Sequence, residues 1–175
     1  ASLTELFNTC SKSVVIVFTE EAQGSGFIIS DEGIGITNYH VLDDNTEAIV
    51  KTSTGDVYDI EKWLRYDKEL DYVIFQLRGA KNRVIPAKIA SKQPQVGEEV
   101  FAIGNPKGLE QTLSSGIVSQ IRDKYGLIQT TAEITNGSSG GALFNMQGEV
   151  IGITSSGVGE ANLNFAIDIQ KVSIP

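Results

Sequence analysis

Beyond residue 13 the apolar positions fall in short β-branched runs cut by turn residues, and nothing sustains a 3.6-residue period apart from the last few residues. The runs at residues 14–18, 26–29, 34–37, 48–52, 56–65 and 72–77 predict strands of one layer. A looser polar stretch, residues 78–90, leads to a second series at 99–103, 111–120, 127–131, 142–144, 150–155 and 163–167. Ahead of both, residues 2–12 place Leu3, Leu6 and Phe7 at helical spacing, with Ser2 and Glu5 in capping-box register. The pattern predicts an all-β protein of two antiparallel β-barrels, about six strands each, behind a short amphipathic helix. Eighteen glycines, many at strand ends, supply the turns and bulges that such barrels need.

A length of 175 residues suits a single domain, with the first barrel over about 13–78, a crossover over about 79–95 and the second barrel over about 96–175. With 14 basic and 22 acidic side chains the formal charge is −8, which argues against a nonspecific nucleic-acid or anionic-membrane surface. No run approaches the ~18–20 apolar residues of a membrane-spanning helix. No basic region followed by an apolar one marks a leader, and the start Ala1-Ser2-Leu3 without methionine reads as a trimmed or processed product. The single cysteine, Cys10, allows no internal disulfide; in the helix pattern it reads as a small apolar filler rather than a nucleophile. The single histidine, His40, leaves a His/Cys zinc site almost without ligands. No metal or other cofactor is expected, and any histidine acid/base chemistry must run through His40.

Gly137-Ser138-Ser139-Gly140-Gly141 follows a strand and a polar turn. Glycines around a serine let the backbone fold tightly enough to aim N–H groups at one point, as an oxyanion hole requires; the plain alternative is a glycine-rich hairpin loop. His40 stands at the end of an apolar strand, before an acidic turn, where a general base is both held and open. Asp71 opens the apolar strand at 72–77 and is the best-placed acid to orient an imidazole. The order His40, Asp71, Ser139, with the first two in the first half, is that of chymotrypsin-type proteases. Two other motifs carry less. Asn136-Gly137-Ser138 matches a glycosylation sequon by chance, and Gly24-Ser25-Gly26 lacks the helix and lysine of a phosphate loop.

Gly24 to Ile29, Thr37-Asn38-Tyr39-His40-Val41, Asp71 to Ile74, Gly104 to Gly108, Ser115 to Ser119, Gln129-Thr130, Gly137 to Gly141 and Asn164 to Ile167 resemble, in this order, the protease domain of HtrA/Deg-type serine proteases. The resemblance implies the trypsin-like double barrel with its cleft between barrels, and a serine endopeptidase acting on extended or unfolded polypeptides through an acyl-enzyme. Ser139 would be the nucleophile, His40 the base and Asp71 its orienting acid, with N–H groups of Gly137, Ser138 and Ser139 at the oxyanion. The substrate strand would lie along Thr154, Ser155, Ser156 and Gly157, and its P1 side chain would enter a pocket of Ile134, Gly157 and Val158. Glu133 either faces that pocket and favours a basic P1 residue or turns outward as a solvated charge, and the outward orientation is preferred.

Departures bear on regulation. Ser138 replaces the family's usual asparagine, so activity should depend on the order of the loop 134–140. Thr131 and Asp168 also differ from the usual residues, and the loops at 20–23 and 122–126 are short. The length leaves no room for a PDZ domain. The resemblance also implies an extracytoplasmic or organellar compartment and a homotrimer built through Leu3, Leu6 and Phe7, although packing of the helix on its own barrel explains those residues equally. The competing reading is a catalytically silent protease-fold domain that binds peptides as an adaptor; an esterase on the same residues has weaker support.

Overall fold

The structure is a computed structural model that describes residues 1–43, 45, 47–105, 111–135, 137–155 and 163–175. Helix α1 (Leu3–Cys10) opens with the foreseen capping box: Glu5 N–H donates to Ser2 Oγ at 3.2 Å, and Ser2 N–H donates to Glu5 Oε1 at 3.1 Å. These bonds hold the Glu5 carboxyl below its ordinary pKa. The helix turns Leu6 and Cys10 into the chain's own core, with Leu3 and Phe7 half-buried against it.

The first barrel is built from β1 (Val14–Phe18), β2 (Gln23–Ile28), β3 (Ile34–Thr37), β4 (Ile49–Lys51), β5 (Val57–Asp67) and β6 (Tyr72–Leu77), closed in the order β1-β2-β3-β6-β5-β4. Every pairing in it is antiparallel, and closure leaves no barrel edge along the paired segments. After the crossover strand β7 (Lys88–Ile89) come β8 (Glu99–Gly104), β9 (Thr112–Arg122), β10 (Leu127–Thr130), β11 (Ala142–Asn145), β12 (Glu149–Ser155) and β13 (Asn164–Asp168). The last six run β11-β8-β9-β10-β13-β12, and the β11–β12 pairing closes them into the second barrel. The two closed six-stranded barrels are the double-barrel architecture that the strand pattern predicts.

Two local features depart from the sequence expectation. Inside the polar crossover, β7 pairs parallel with β12, a contact too short to leave a period in the sequence. After β3 the chain makes one helical turn, α2 (Tyr39–Leu42), so His40 sits on a helix rather than on the strand end itself.

Apolar packing divides three ways. Val15, Ile28, Leu42, Val73 and Phe75 fill the first barrel. Val100, Val118, Ile128, Leu143 and Ile151 fill the second. The third cluster joins them: Phe27, Ile36 and Ile74 of the first barrel meet Phe101, Ile103, Phe144 and Ile153 of the second, along with Leu6 and Cys10 of α1. In this seam the rings of Phe101 and Phe144 stack with centroids 5.1 Å apart. Burying each such ring contributes about 1.5–3 kcal/mol, so the seam is a load on which the relative placement of the barrels depends.

Candidate active site

Three short segments meet at the seam. Thr37 ends β3 and Asn38 stands at the N-cap position of α2, which carries His40. Asp71 stands immediately before β6, in the left-handed region with φ 65°, a conformation Asp tolerates better than most residues. The third segment is the glycine-rich turn before β11, with Gly137 at φ 88° and Gly140 at φ 94°. A side chain at Gly140 would run into the Ser25 carbonyl and lie 2.6 Å from Thr37 Oγ1, so position 140 requires glycine on two counts.

The structure brings His40, Asp71 and Ser139 together. Asp71 holds the imidazole with both carboxylate oxygens: His40 Nδ1 lies 2.6 Å from Oδ2, and His40 backbone N–H donates to Oδ1 at 2.8 Å. A ring anchored by Nδ1–H on a carboxylate is the tautomer with Nε2 free to accept a proton. On that side Ser139 Oγ lies 3.4 Å from His40 Nε2. Ser139 and Asp71 are largely enclosed, whereas the His40 side chain is 45% exposed, so the ring forms the rim of the cleft.

Residues not foreseen as site residues brace these groups. The fully buried Asn38 accepts from Ser139 Oγ at its Oδ1 and donates from Nδ2 to the Asp71 carbonyl at 3.0 Å. Ser25 fastens the turn from the opposite barrel. Its N–H donates to the Ser139 carbonyl at 2.9 Å, and its Oγ donates to the Gly137 carbonyl at 2.9 Å while accepting from Asn105 N–H at 3.0 Å. Thr37 Oγ1 donates to the Ser25 carbonyl at 2.7 Å and fixes that strand in turn. The available signal was position: Ser25 and Asn38 lie within motifs of the resemblance, but nothing local marks either as a site residue.

The remaining expected site residues are placed less simply. Ser138 N–H donates to the Thr135 carbonyl at 3.0 Å and so closes a turn. Thr154 spends its N–H on Gly141 (2.9 Å), its carbonyl on Gly140 N–H (2.8 Å) and its Oγ1 on the Ser138 carbonyl (2.9 Å), so it holds the serine turn instead of presenting backbone groups to a substrate strand. Ser155 is buried beside it, with an Oγ that has no hydrogen-bond partner among the described residues. Ile134 is buried, its N–H donating to Asn164 Oδ1 at 3.2 Å, and Glu133 is exposed, its N–H donating to Ser114 Oγ at 2.7 Å. Ser156, Gly157 and Val158 lie outside the described residues, as does Asn136 beside Gly137. Among the described residues, no three His, Cys, Asp or Glu side chains converge as a metal site, and no helix is long and apolar enough to cross a membrane.

Chemically, the arrangement offers a hydroxyl, a base within reach of it and an acid fixing the base, on a backbone turn with glycine freedom on both sides. Comparison with known proteins agrees in kind. The chain is 39% identical over 163 residues to the periplasmic serine endoprotease DegP of Escherichia coli, a match covering 86% of this chain and 34% of the relative. It is 33% identical over 155 residues to the anti-sigma-I factor RsgI9 of Acetivibrio thermocellus, covering 87% of this chain and 22% of that protein. A serine endoprotease structure from Yersinia pestis superimposes with a TM-score of 0.86 at 31% identity, over 97% of this chain and 63% of that one. The chain thus spans no more than about half the length of the curated relatives it matches. The model of the trypsin-like peptidase domain matches residues 24–153, which include His40, Asp71 and Ser139, and on this match the chain belongs to the trypsin-like peptidase domain family, among relatives of the HtrA/Deg type.

Proposed function

We propose that the chain is a serine endopeptidase acting on extended or unfolded polypeptides through an acyl-enzyme. The observation that carries this reading is the bridging position of His40, with Nδ1 2.6 Å from Asp71 Oδ2 and Nε2 3.4 Å from Ser139 Oγ. Ser139 Oγ attacks the scissile carbonyl carbon as its proton passes to His40 Nε2, while Asp71 stabilises the imidazolium. His40 then gives the proton to the leaving amine, and the C–N bond breaks. Water attacks the ester, its proton passing to His40 and on to Ser139 Oγ, which releases the acid and restores the site. Backbone N–H groups of Gly137 and Ser139 are assigned to the developing oxyanion, where one donor is worth roughly 3–4 kcal/mol in the transition state. The substrate strand is assigned to the segment from Ser155 onward, because the Thr154 backbone is already engaged. The relative named as periplasmic supports an extracytoplasmic setting for this activity.

A fluorophosphonate probe tests the chemistry. Covalent labelling of the protein and its loss in Ser139→Ala, together with cleavage of an unfolded protein in preference to the same protein folded, is the expected result. The second reading, a silent peptide-binding adaptor, draws support from the relative named as an anti-sigma factor. Peptide binding without any labelling across pH 5–9 establishes that reading and overturns the first.

A further inference from the structure

We propose that Asn38 is a positioning residue that holds the Ser139 proton away from His40 in the resting site, so that the first proton transfer begins with its release. The inference rests on the endopeptidase reading above for its consequence in catalysis, and on four observations for the contact itself. Asn38 occupies the N-cap of α2, where an asparagine ordinarily turns its side chain back to a helix N–H, yet its side chain makes no cap bond. The amide it would have capped, His40 N–H, is taken by Asp71 Oδ1 instead. The carboxamide is thereby freed to turn inward, fully buried, and to span from Asp71 to Ser139.

Its orientation follows from the partners. The Asp71 backbone carbonyl can only accept, so the group facing it at 3.0 Å is the Nδ2 donor. The atom facing Ser139 is then Oδ1, which can only accept, and the Ser139 hydroxyl must donate to it. A hydroxyl has one proton. While it points at Asn38 it is not on the line to His40 Nε2, 3.4 Å away. Substrate docking that shifts Ser139 Oγ toward the ring moves the proton from a neutral amide acceptor to the general base.

His40 is the chain's single histidine, so its ring nitrogens give unambiguous NMR signals. In the wild-type background Ser139→Ala should leave the His40 Nε2 chemical shift nearly unchanged, because the hydroxyl does not donate there. In an Asn38→Ala background the same Ser139→Ala step should move that shift, because the hydroxyl has turned to the ring. Fluorophosphonate labelling of Asn38→Ala should be about five- to tenfold faster than wild type, the scale of releasing one neutral hydrogen bond from the ground state. If Asn38 served only to support the fold, labelling would slow. Slower or unchanged labelling by a folded Asn38→Ala protein, or an equal effect of Ser139→Ala on His40 in both backgrounds, overturns the proposal. Asn38→Ser, smaller but still polar, repeats both measurements if Asn38→Ala does not fold. Should the wild type resist labelling altogether, the endopeptidase reading fails, and the NMR comparison alone then decides whether Asn38 holds the proton.

Discussion

The His40–Asp71 pair and the Ser139 turn are held by different means. The pair belongs wholly to the first barrel: one carboxylate grips one residue at both its ring and its backbone, over 2.6 and 2.8 Å, on elements that adjoin through the β3–β6 pairing. The serine turn belongs by sequence to the second barrel, yet it is tied to both. Gly140 and Gly141 pair with Thr154 on β12, while the carbonyls of Gly137 and Ser139 are held by Ser25 on β2. The His40–Asp71 pair is therefore complete once one barrel has formed, whereas Ser139 is placed only when the two have docked. On the proposed endopeptidase reading, a site so divided puts the chemistry of proton transfer in a local, charge-assisted contact and leaves alignment to a set of neutral bonds across the seam.

The largest effects should come from the reacting groups, whichever side they lie on. Ser139→Ala and His40→Ala should each lower peptide hydrolysis by at least ~10⁴-fold, with no second histidine to substitute. Thermal melts of both variants should stay within a few degrees of wild type, since neither side chain carries the core. A His40→Ala protein that retains more than about a hundredth of the activity would show that the base lies elsewhere and would dissolve the comparison.

Next in size is the turn itself. Gly140→Ala forces a side chain at φ 94° against the Ser25 carbonyl, and a clash with backbone across the seam should cost about 3 kcal/mol or more in denaturant unfolding, with labelling lost as well. Ser25→Ala is the finer test. It leaves the half-buried Gly137 carbonyl and the buried Asn105 N–H without their shared hydroxyl, an expected loss of about 1–3 kcal/mol. Because these bonds align Ser139 and not His40, labelling of Ser139 should fall while the His40 ring NMR chemical shifts hold their wild-type values. A matching change in those chemical shifts would mean that the two halves are not independent.

The barrels were legible because their strands are short β-branched runs separated by glycine turns, a pattern that excludes long helices without needing any long-range information. The grouping of His40, Asp71 and Ser139 was legible because scarcity removed the alternatives for the base and chain order suggested the rest. What escaped was every residue whose task depends on a partner far away in sequence. Asn38 has the composition of a helix cap, and only the folded chain shows that Asp71 has taken over that task. Ser25 looks like part of a glycine loop until β2 is laid against residues more than a hundred positions later. Thr154 was expected to face substrate, but a period-2 pattern gives the face of a strand and not which neighbour claims its backbone.

The rim of the seam offers the mildest perturbation. On β5, the Arg65 guanidinium donates from one nitrogen to the Ser173 carbonyl at 3.0 Å and to Ser173 Oγ at 2.6 Å, and Ser173 N–H donates to the Tyr72 hydroxyl at 3.3 Å. These bonds tie the C-terminal segment to the first barrel, but the two from Arg65 are exposed, where water competes for donor and acceptor. Arg65→Ala should therefore lower stability by no more than about 1 kcal/mol. If docking of the barrels is secured by the buried Phe27, Phe101 and Phe144 cluster, Ser139 labelling should change less than twofold. A several-fold drop in labelling at nearly unchanged stability would instead place control of the nucleophile at this exposed strap, and the contrast between a self-sufficient base and a seam-dependent serine would then have to include the chain's last residues.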